Sequence, residues 1–303
     1  MMIKLKNWRG AIAMMFAVSA FYIFSAVFLA RADNVTTTVT VSNGDPTVSG
    51  VDLNAGTAIS LTEATTTVVN CAATITDING GSDISSATGT VYRSGVSGGG
   101  SCTAGNENCY QIATSSCSLG TVSGNDRPAT CTVNVWFYAD PTDAGAYSAQ
   151  TWQCQITGKD ASSGVGSGTD STPPELNGLS ALDVSASIAY GSLAASTTPA
   201  NVTVTTTVTS TGNVSIDTYL AGANMTSGGN TIGVGNERYA TSSAAWASAV
   251  ALTASNVLLD LNMVKPSANP SNSASSVYWG ISIPSGQVSG AYSGAVTSTA
   301  VAS

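Results

Sequence analysis

Residues 131–138 read CTVNVWFY, and the alternation in this short stretch decides the fold class. Cys131, Val133, Val135 and Phe137 share one parity, so an extended chain places them on one face and the intervening residues on the other. β-Branched and aromatic side chains favour the pleated, half-buried surface of a sheet. The stretch therefore predicts a β-strand with one buried face.

The same alternation recurs on both sides of this stretch. Valines alternate with threonines in NVTTTVTV at residues 34–41 and in NVTVTTTV at residues 201–208. Clusters of Gly, Asn, Ser and Asp separate such runs, which is typical of turns between short strands. We therefore expect an all-β protein built from β-sandwiches that follow an N-terminal hydrophobic signal or anchor helix.

A Gly-, Ser- and Pro-rich stretch predicts two domains after that segment. Residues 161–178 contain few apolar side chains, and we interpret them as a linker. The flanking stretches, residues 33–160 and 179–303, each have the usual size of a domain and are long enough for a core of their own. Because every cysteine lies before the linker, we expect a disulfide-containing sandwich followed by a cysteine-free one.

The cysteines predict three disulfide bonds. An even number of cysteines in an exported protein is typical of a disulfide framework. The alternative, a zinc site, is disfavoured because the chain has no C-x-x-C spacing and no histidine. The six residues are Cys71, Cys102, Cys109, Cys117, Cys131 and Cys154.

Cys71 and Cys154 each lie in an apolar, strand-like stretch. A bond between them would close a loop of more than eighty residues and stabilise the fold by about 4 to 5 kcal/mol. The other four cysteines can pair in three ways. Of these we expect the local one, in which Cys102 bonds Cys109 and the remaining two bond each other.

Two features of the first domain resemble immunoglobulin-like sandwiches. The spacing of Cys71 and Cys154 is similar to that of the cysteines that link the two sheets of that family. DAGAY at residues 143–147 resembles the Asp-x-Gly-x-Tyr corner that precedes the second cysteine. In the family that cysteine comes two residues after the tyrosine, whereas here Tyr147 is followed by a longer insertion.

The C-terminal stretch resembles the last hairpin of cysteine-free immunoglobulin-like modules in bacterial and archaeal envelope proteins. In VYWGISIPSGQVSGAYSGAVTSTAVA, residues 277–302, a strand enters a Pro-Gly turn and Tyr292 opens the closing strand. The resemblance implies tandem immunoglobulin-like sandwiches of an envelope surface protein. It also implies that Tyr147 and Tyr292 are structural corners, each with its ring packed and its hydroxyl bonded to the backbone.

The first 32 residues have the pattern of an export signal. Three basic residues precede an uncharged apolar run at residues 11–30, and Ala30 and Ala32 occupy the small positions that a signal peptidase reads. Without cleavage, the run is long enough to anchor the chain in a membrane. A third alternative is prepilin-type cleavage after Gly10, although pilins usually carry Glu where this chain has Met15. We expect an extracellular or cell-surface protein.

The charge of the exported part excludes several partners, and the absence of histidine argues against catalysis. Removing residues 1–32 leaves five basic and 17 acidic residues, a net charge of 5 − 17 = −12. Such a field repels nucleic acid and anionic lipid, so we expect neither, and membrane contact only through an uncleaved residue 11–30 segment. The chain has no histidine, the commonest general base, and we expect no enzymatic activity.

Two acidic clusters have the hard oxygen ligands that calcium prefers. Asp77, Asn79 and Asp83 lie in one Gly-containing turn, and Asp140 and Asp143 lie in another. The same residue types are ordinary in β-turns, and neither cluster matches a twelve-residue calcium loop. Apart from calcium, we expect no cofactor.

Four Asn-x-Ser/Thr triplets are acceptors for N-glycosylation if the host modifies secreted asparagine. They begin at Asn34, Asn201, Asn213 and Asn224.

These patterns predict a non-enzymatic, exported structural or adhesion protein of the cell surface, with envelope proteins or surface glycans as partners. One alternative is a carbohydrate- or ligand-binding module that uses the loop between Cys102 and Cys117, or Trp246, as its platform. Another is a pilin-like filament subunit.

Overall fold

A computed structural model of the protein describes residues 34–303. The predicted signal or anchor at residues 1–32 lies outside the described residues, so its cleavage, its anchoring role and the pilin-like alternative stay predictions. Residues 34–303 form strands joined by loops and short 3-10 turns. Within this part of the chain, no helix has the length and apolar character needed to cross a membrane.

Two four-stranded antiparallel sheets form the first half of the fold, with strand orders β1-β2-β6-β5 and β4-β3-β7-β8. They enclose an apolar core in which Leu53, Ile75 and Trp152 are fully buried. The arrangement is compatible with a β-sandwich, and we call it the first sandwich. Its strands are β1 (Thr47–Leu53), β2 (Thr66–Thr76), β3 (Ile84–Arg93), β4 (Cys109–Ile112), β5 (Cys117–Leu119), β6 (Asp126–Trp136), β7 (Trp152–Asp160) and β8 (Val165–Thr169).

A five-stranded sheet of order β15-β14-β17-β10-β9 and a three-stranded sheet of order β16-β11-β18 form the second half, which we call the second sandwich. Its separate core includes Ile216, Tyr239 and Trp279. A small hairpin of β12 and β13 completes it. The strands are β9 (Leu182–Val184), β10 (Val204–Ser210), β11 (Ile216–Gly222), β12 (Met225–Ser227), β13 (Asn230–Ile232), β14 (Glu237–Ala240), β15 (Val250–Ala251), β16 (Val257–Met263), β17 (Ala274–Ile281) and β18 (Val296–Ala302).

The expected all-β fold class is confirmed, and the deciding stretch behaves as predicted. Cys131 and Val135 in β6 are buried, while Asn134 between them is exposed. Strand β10 likewise covers most of the second alternating run. Residues 34–41 differ, because they lie in no strand and their valines are exposed. Alternation produces a strand only where a neighbouring strand completes its hydrogen bonds.

Residues 161–178, predicted as a linker, are largely part of the first sandwich. They contain β8, which pairs with β7, and Leu176, which is fully buried in the first core. The buried carboxylate of Asp170 accepts a hydrogen bond from the backbone N–H of Leu53, 3.0 Å away. Residues 43–303 form one compact unit.

The glycines of β8 explain why its composition resembles that of a linker. A side chain on Gly166 would collide with the carbonyl oxygen of Pro46, and a Cβ on Gly168 would lie 2.7 Å from the carbonyl oxygen of Val48. The strand therefore needs glycine because the chain before and within β1 approaches it closely.

Replacing Gly166 with alanine is expected to lower the free energy of unfolding by about 1 to 3 kcal/mol, because the added methyl group forces the two segments apart. Urea denaturation of both proteins measures the loss. Gly235→Ala is the matched control, since a Cβ there has no atom within 4 Å. Equal stabilities for Gly166→Ala and the control would show that β8 is not packed in this way.

Candidate functional site

Three carboxylates converge at one end of the first sandwich, and we call them the acid cluster: Asp77, Asp83 and Asp160. Asp77 follows β2, Asp83 precedes β3, and Asp160 is the last residue of β7. The pairing of β3 with β7 places Ile84 opposite Asp160, which brings the last carboxylate to the turn that carries the other two. One oxygen of each carboxylate lies within 4.8 Å of the others.

The cluster is largely buried, and its hydrogen bonds are unevenly distributed. Asp77 is fully buried; its Oδ1 accepts the backbone N–H of Asn79 at 2.8 Å, while its Oδ2 has no hydrogen-bond partner. Asp160 is 1% exposed and accepts hydrogen bonds from Asn43 Nδ2 at 2.8 Å and from the backbone N–H of Gly164 at 2.7 Å. The bond from Asn43, followed by backbone N–H groups, lowers the pKa of Asp160 below its ordinary value.

The chain that enters β1 passes directly beside the acid cluster. The side-chain oxygen of Asn79 accepts the backbone N–H of Gly44 at 2.8 Å. A side chain on Gly164 would collide with carboxylate oxygens of both Asp45 and Asp160, so these two oxygens are close neighbours. Asn79, predicted as a metal ligand, therefore holds the entering chain in place.

The second predicted calcium cluster has a different environment. Asp140 is buried, and its two oxygens contact Arg93 Nε at 3.1 Å and Lys265 Nζ at 3.2 Å. Asp143 is exposed. Because two cations already neutralise Asp140, the structure does not support calcium binding there.

Lys265 and Asn213 of the second sandwich join it to the first through polar contacts. Besides Asp140, Lys265 Nζ contacts Glu107 Oε1 at 3.0 Å and the carbonyl oxygen of Tyr138 at 2.7 Å. Asn213 is fully buried and its Nδ2 donates to the carbonyl oxygen of Ala139 at 3.0 Å. We call these contacts the junction network.

The position of Asn213 also corrects one predicted glycosylation site. Its Oδ1 accepts the backbone N–H of Leu179 at 2.5 Å, so both polar atoms of the side chain are used inside the fold. A glycan cannot be attached to a side chain that is fully buried. Asn34, Asn201 and Asn224 are exposed.

The cysteines form three disulfide bonds, and the described residues contain no free cysteine. One bond connects β2 to β7 across the core, one closes the loop that precedes β4, and one joins the neighbouring strands β5 and β6. These are the pairs expected from the sequence, and three disulfides are typical of an oxidising, extracellular environment. They are Cys71–Cys154, Cys102–Cys109 and Cys117–Cys131.

The aromatic residues singled out in the sequence have packing contacts. The Tyr292 hydroxyl donates to the carbonyl oxygen of Val288 at 2.8 Å, the backbone bond implied for a corner. The ring of Tyr147 lies 3.7 Å from the Arg93 guanidinium carbon. Trp246, the suggested platform, is half-buried beneath the Arg238 guanidinium.

A cavity of about 730 Å³ opens in the second sandwich, and neither of the suggested platforms lines it. Tyr190, Leu193 and Ile281 are among its lining residues. At its edge, the Tyr190 hydroxyl donates to Glu237 Oε1 at 2.9 Å. Burial raises the pKa of Glu237 above its ordinary value, since removal from water disfavours the charged carboxylate.

The raised pKa of Glu237 predicts a pH-dependent stability difference between the protein and its Glu237→Gln variant. The folded state holds the Glu237 proton more tightly than the unfolded state does. The cost of charging Glu237 is therefore present at neutral pH. It is lost as the pH falls toward the pKa of about 4.3 that glutamate has in the unfolded chain. Glutamine keeps the bond from Tyr190 without that cost.

We therefore expect Glu237→Gln to melt at a higher temperature than the unmodified protein at pH 7.5, and the gap to close by about pH 4.5. Thermal unfolding of both proteins between pH 4.5 and 7.5 measures the difference in melting temperature and its sign. A difference that is constant with pH would contradict a buried, titrating Glu237.

Neither a comparison with models of protein families nor a search of curated proteins finds a match to the chain.

Proposed function

We propose that the protein is a non-enzymatic structural or adhesion component of the cell surface, exported through its N-terminal segment and built from tandem immunoglobulin-like sandwiches. The observation that carries this proposal is the way the two sandwiches are fastened. Three disulfides reinforce the first sandwich, and the junction network connects it to the second. Such a stiff double unit suits a role in bearing load or presenting a surface.

The surface chemistry supports the same proposal. The exported part is strongly acidic and lysine-poor, which favours solubility outside the cell. The bond between Cys71 and Cys154 crosses the core in the manner of immunoglobulin-like sandwiches, and Tyr292 makes the backbone bond of that family's corner. The proposal rests on these features and not on the fold class, because β-sandwiches host many unrelated activities.

Protease shaving of intact cells, followed by peptide mapping, tests the proposal. We expect peptides from both sandwiches in the extracellular digest, no free thiols, and a mature N-terminus at Asp33. An N-terminus at Ala11 would instead indicate a filament subunit, and an intact Met1 would indicate a tethered surface protein. Recovery of the protein only from the cytoplasm, with reduced cysteines, would contradict the proposal.

The cavity in the second sandwich favours ligand binding as a second candidate function. Its volume of about 730 Å³ falls within the range of small-molecule sites. Leu193 lines the cavity and is 44% exposed, so Leu193→Trp would fill the opening without disturbing the core. Binding to a glycan and small-molecule panel that survives Trp246→Ala but is lost in Leu193→Trp would assign the cavity as the binding site.

A further inference from the structure

The acid cluster brings together like charges, and no basic side chain in the described part of the chain forms a salt bridge with them. Within residues 34–303, the salt bridges all involve Asp140 or Glu107, and none reaches Asp77, Asp83 or Asp160. Carboxylates held this close repel one another, and the repulsion grows as water is removed. The arrangement therefore lacks a positive charge.

A second observation is independent of the charge count. Among the residues that the structure describes, Asp77 Oδ2 is buried without a hydrogen-bond partner, although Oδ1 of the same carboxylate accepts the backbone N–H of Asn79. A buried oxygen left unpaired is costly, and a bound ion is one of the ways in which native proteins satisfy such a group. We infer that Asp77, Asp83 and Asp160 bind one calcium ion.

The ligands favour calcium over other cations. Calcium binds carboxylate and carbonyl oxygens at about 2.3–2.6 Å, so two oxygens on one ion lie at most about 5 Å apart. The separations in the acid cluster, all within 4.8 Å, meet that limit. Magnesium retains several waters and is seldom held by an all-protein cage. Zinc prefers histidine and thiolate, which this site lacks.

The ion would fasten three segments that meet at this end of the first sandwich. Asp77 and Asp83 belong to the turn between β2 and β3, and Asp160 ends β7. Asn43, in the segment that leads into β1, donates to Asp160 and is thereby coupled to the site. The inference goes beyond the proposed function and does not depend on it. Extracellular calcium modules have dissociation constants of about 0.1 to 1 mM, and we expect this range.

Thermal unfolding of the full chain with its three disulfides formed tests the site. We expect 5 mM CaCl₂ to raise the melting temperature by about 5 °C relative to EDTA, and 5 mM MgCl₂ to have a much smaller effect. Isothermal titration calorimetry should give one ion per chain. No calcium-dependent shift, or a magnesium shift as large as the calcium shift, would overturn the inference.

Asp77→Asn distinguishes a metal ligand from a residue that only shapes the turn. The amide keeps the bond from Asn79 and removes one of the repelling charges. We expect the variant to melt above the unmodified protein in EDTA and below it in calcium. A lower melting temperature in both conditions, with the calcium response intact, would show that Asp77 has only a structural role.

Two further variants keep the test valid if Asp77→Asn fails to fold. Asp83 is half-buried, so Asp83→Asn should fold and lose most of the calcium response. Asp143→Asn removes an exposed carboxylate outside the acid cluster and should keep the full response. Equal calcium responses in these two variants would overturn the assignment.

Discussion

Replacing Cys71 and Cys154 together with alanine is expected to lower the free energy of unfolding by about 4 to 5 kcal/mol. The bond closes 83 residues of chain, so its removal releases a large loop in the unfolded state. Both cysteines are fully buried, and alanine leaves unfilled space beside them. Urea denaturation monitored by tryptophan fluorescence measures the change.

The Cys102→Ala, Cys109→Ala double variant is the matched control. Its bond joins residues only seven positions apart, and the same loop-closure reasoning gives a loss in the free energy of unfolding of about 2.5 kcal/mol. The first double variant should therefore be the less stable of the two. A smaller loss for the variant that removes the bond between the sheets would contradict a loop-closure origin of its stability.

Asp140→Asn is expected to lower the free energy of unfolding by about 3 kcal/mol or more, because it removes the counter-ion of the buried Arg93 and one of the two counter-ions of Lys265. The side chain of Asp140 is 5% exposed, and those of Arg93 and Lys265 are 9% and 22% exposed. Since one partner comes from each sandwich, the variant should also loosen their attachment. Chemical denaturation measures the loss of stability, and native-state proteolysis at the junction measures the loosening.

Asp143→Asn is the control for Asp140→Asn, because it lies three residues away and is exposed. We expect its stability to stay within about 0.5 kcal/mol of the unmodified protein. The variant Lys265→Met removes one of the two cations beside Asp140, so it distinguishes the contribution of Lys265 from that of Arg93. If it costs nothing while Asp140→Asn is severe, the stabilisation comes from Arg93 within the first sandwich, and the sandwiches are not joined by charge.

Local pattern predicted the parts of the fold that depend on neighbouring residues. Alternation around Cys131 identified β6, because the parity of a strand is set by the strand itself. The turn between β2 and β3 was recognised as acidic, since Asp77 and Asp83 are only six residues apart. The sequence placed Tyr292 after a Pro-Gly turn, and its hydroxyl donates to the backbone of Val288, four residues upstream.

Contacts between distant strands were the parts that the sequence could not supply. Asp160 joins the acid cluster only because β7 pairs with β3, and nothing near Asp160 indicates that pairing. Lys265 of the second sandwich likewise contacts Asp140 of the first, although the two residues are far apart in sequence. Residues 161–178 resemble a linker in composition although they contain β8. A strand that needs glycine for close packing and a linker that uses glycine for flexibility are both rich in this residue.

The bond between Cys71 and Cys154 also determines how the first sandwich responds to a pulling force. Tension applied at the two ends of the chain passes through the covalent sulfur bridge and bypasses the loop between Cys71 and Cys154, which lie 83 positions apart. Fully extended, that loop would be roughly 280 Å long. The bridge withholds this length from stretching, so a loaded first sandwich can lengthen only through the strands outside the loop.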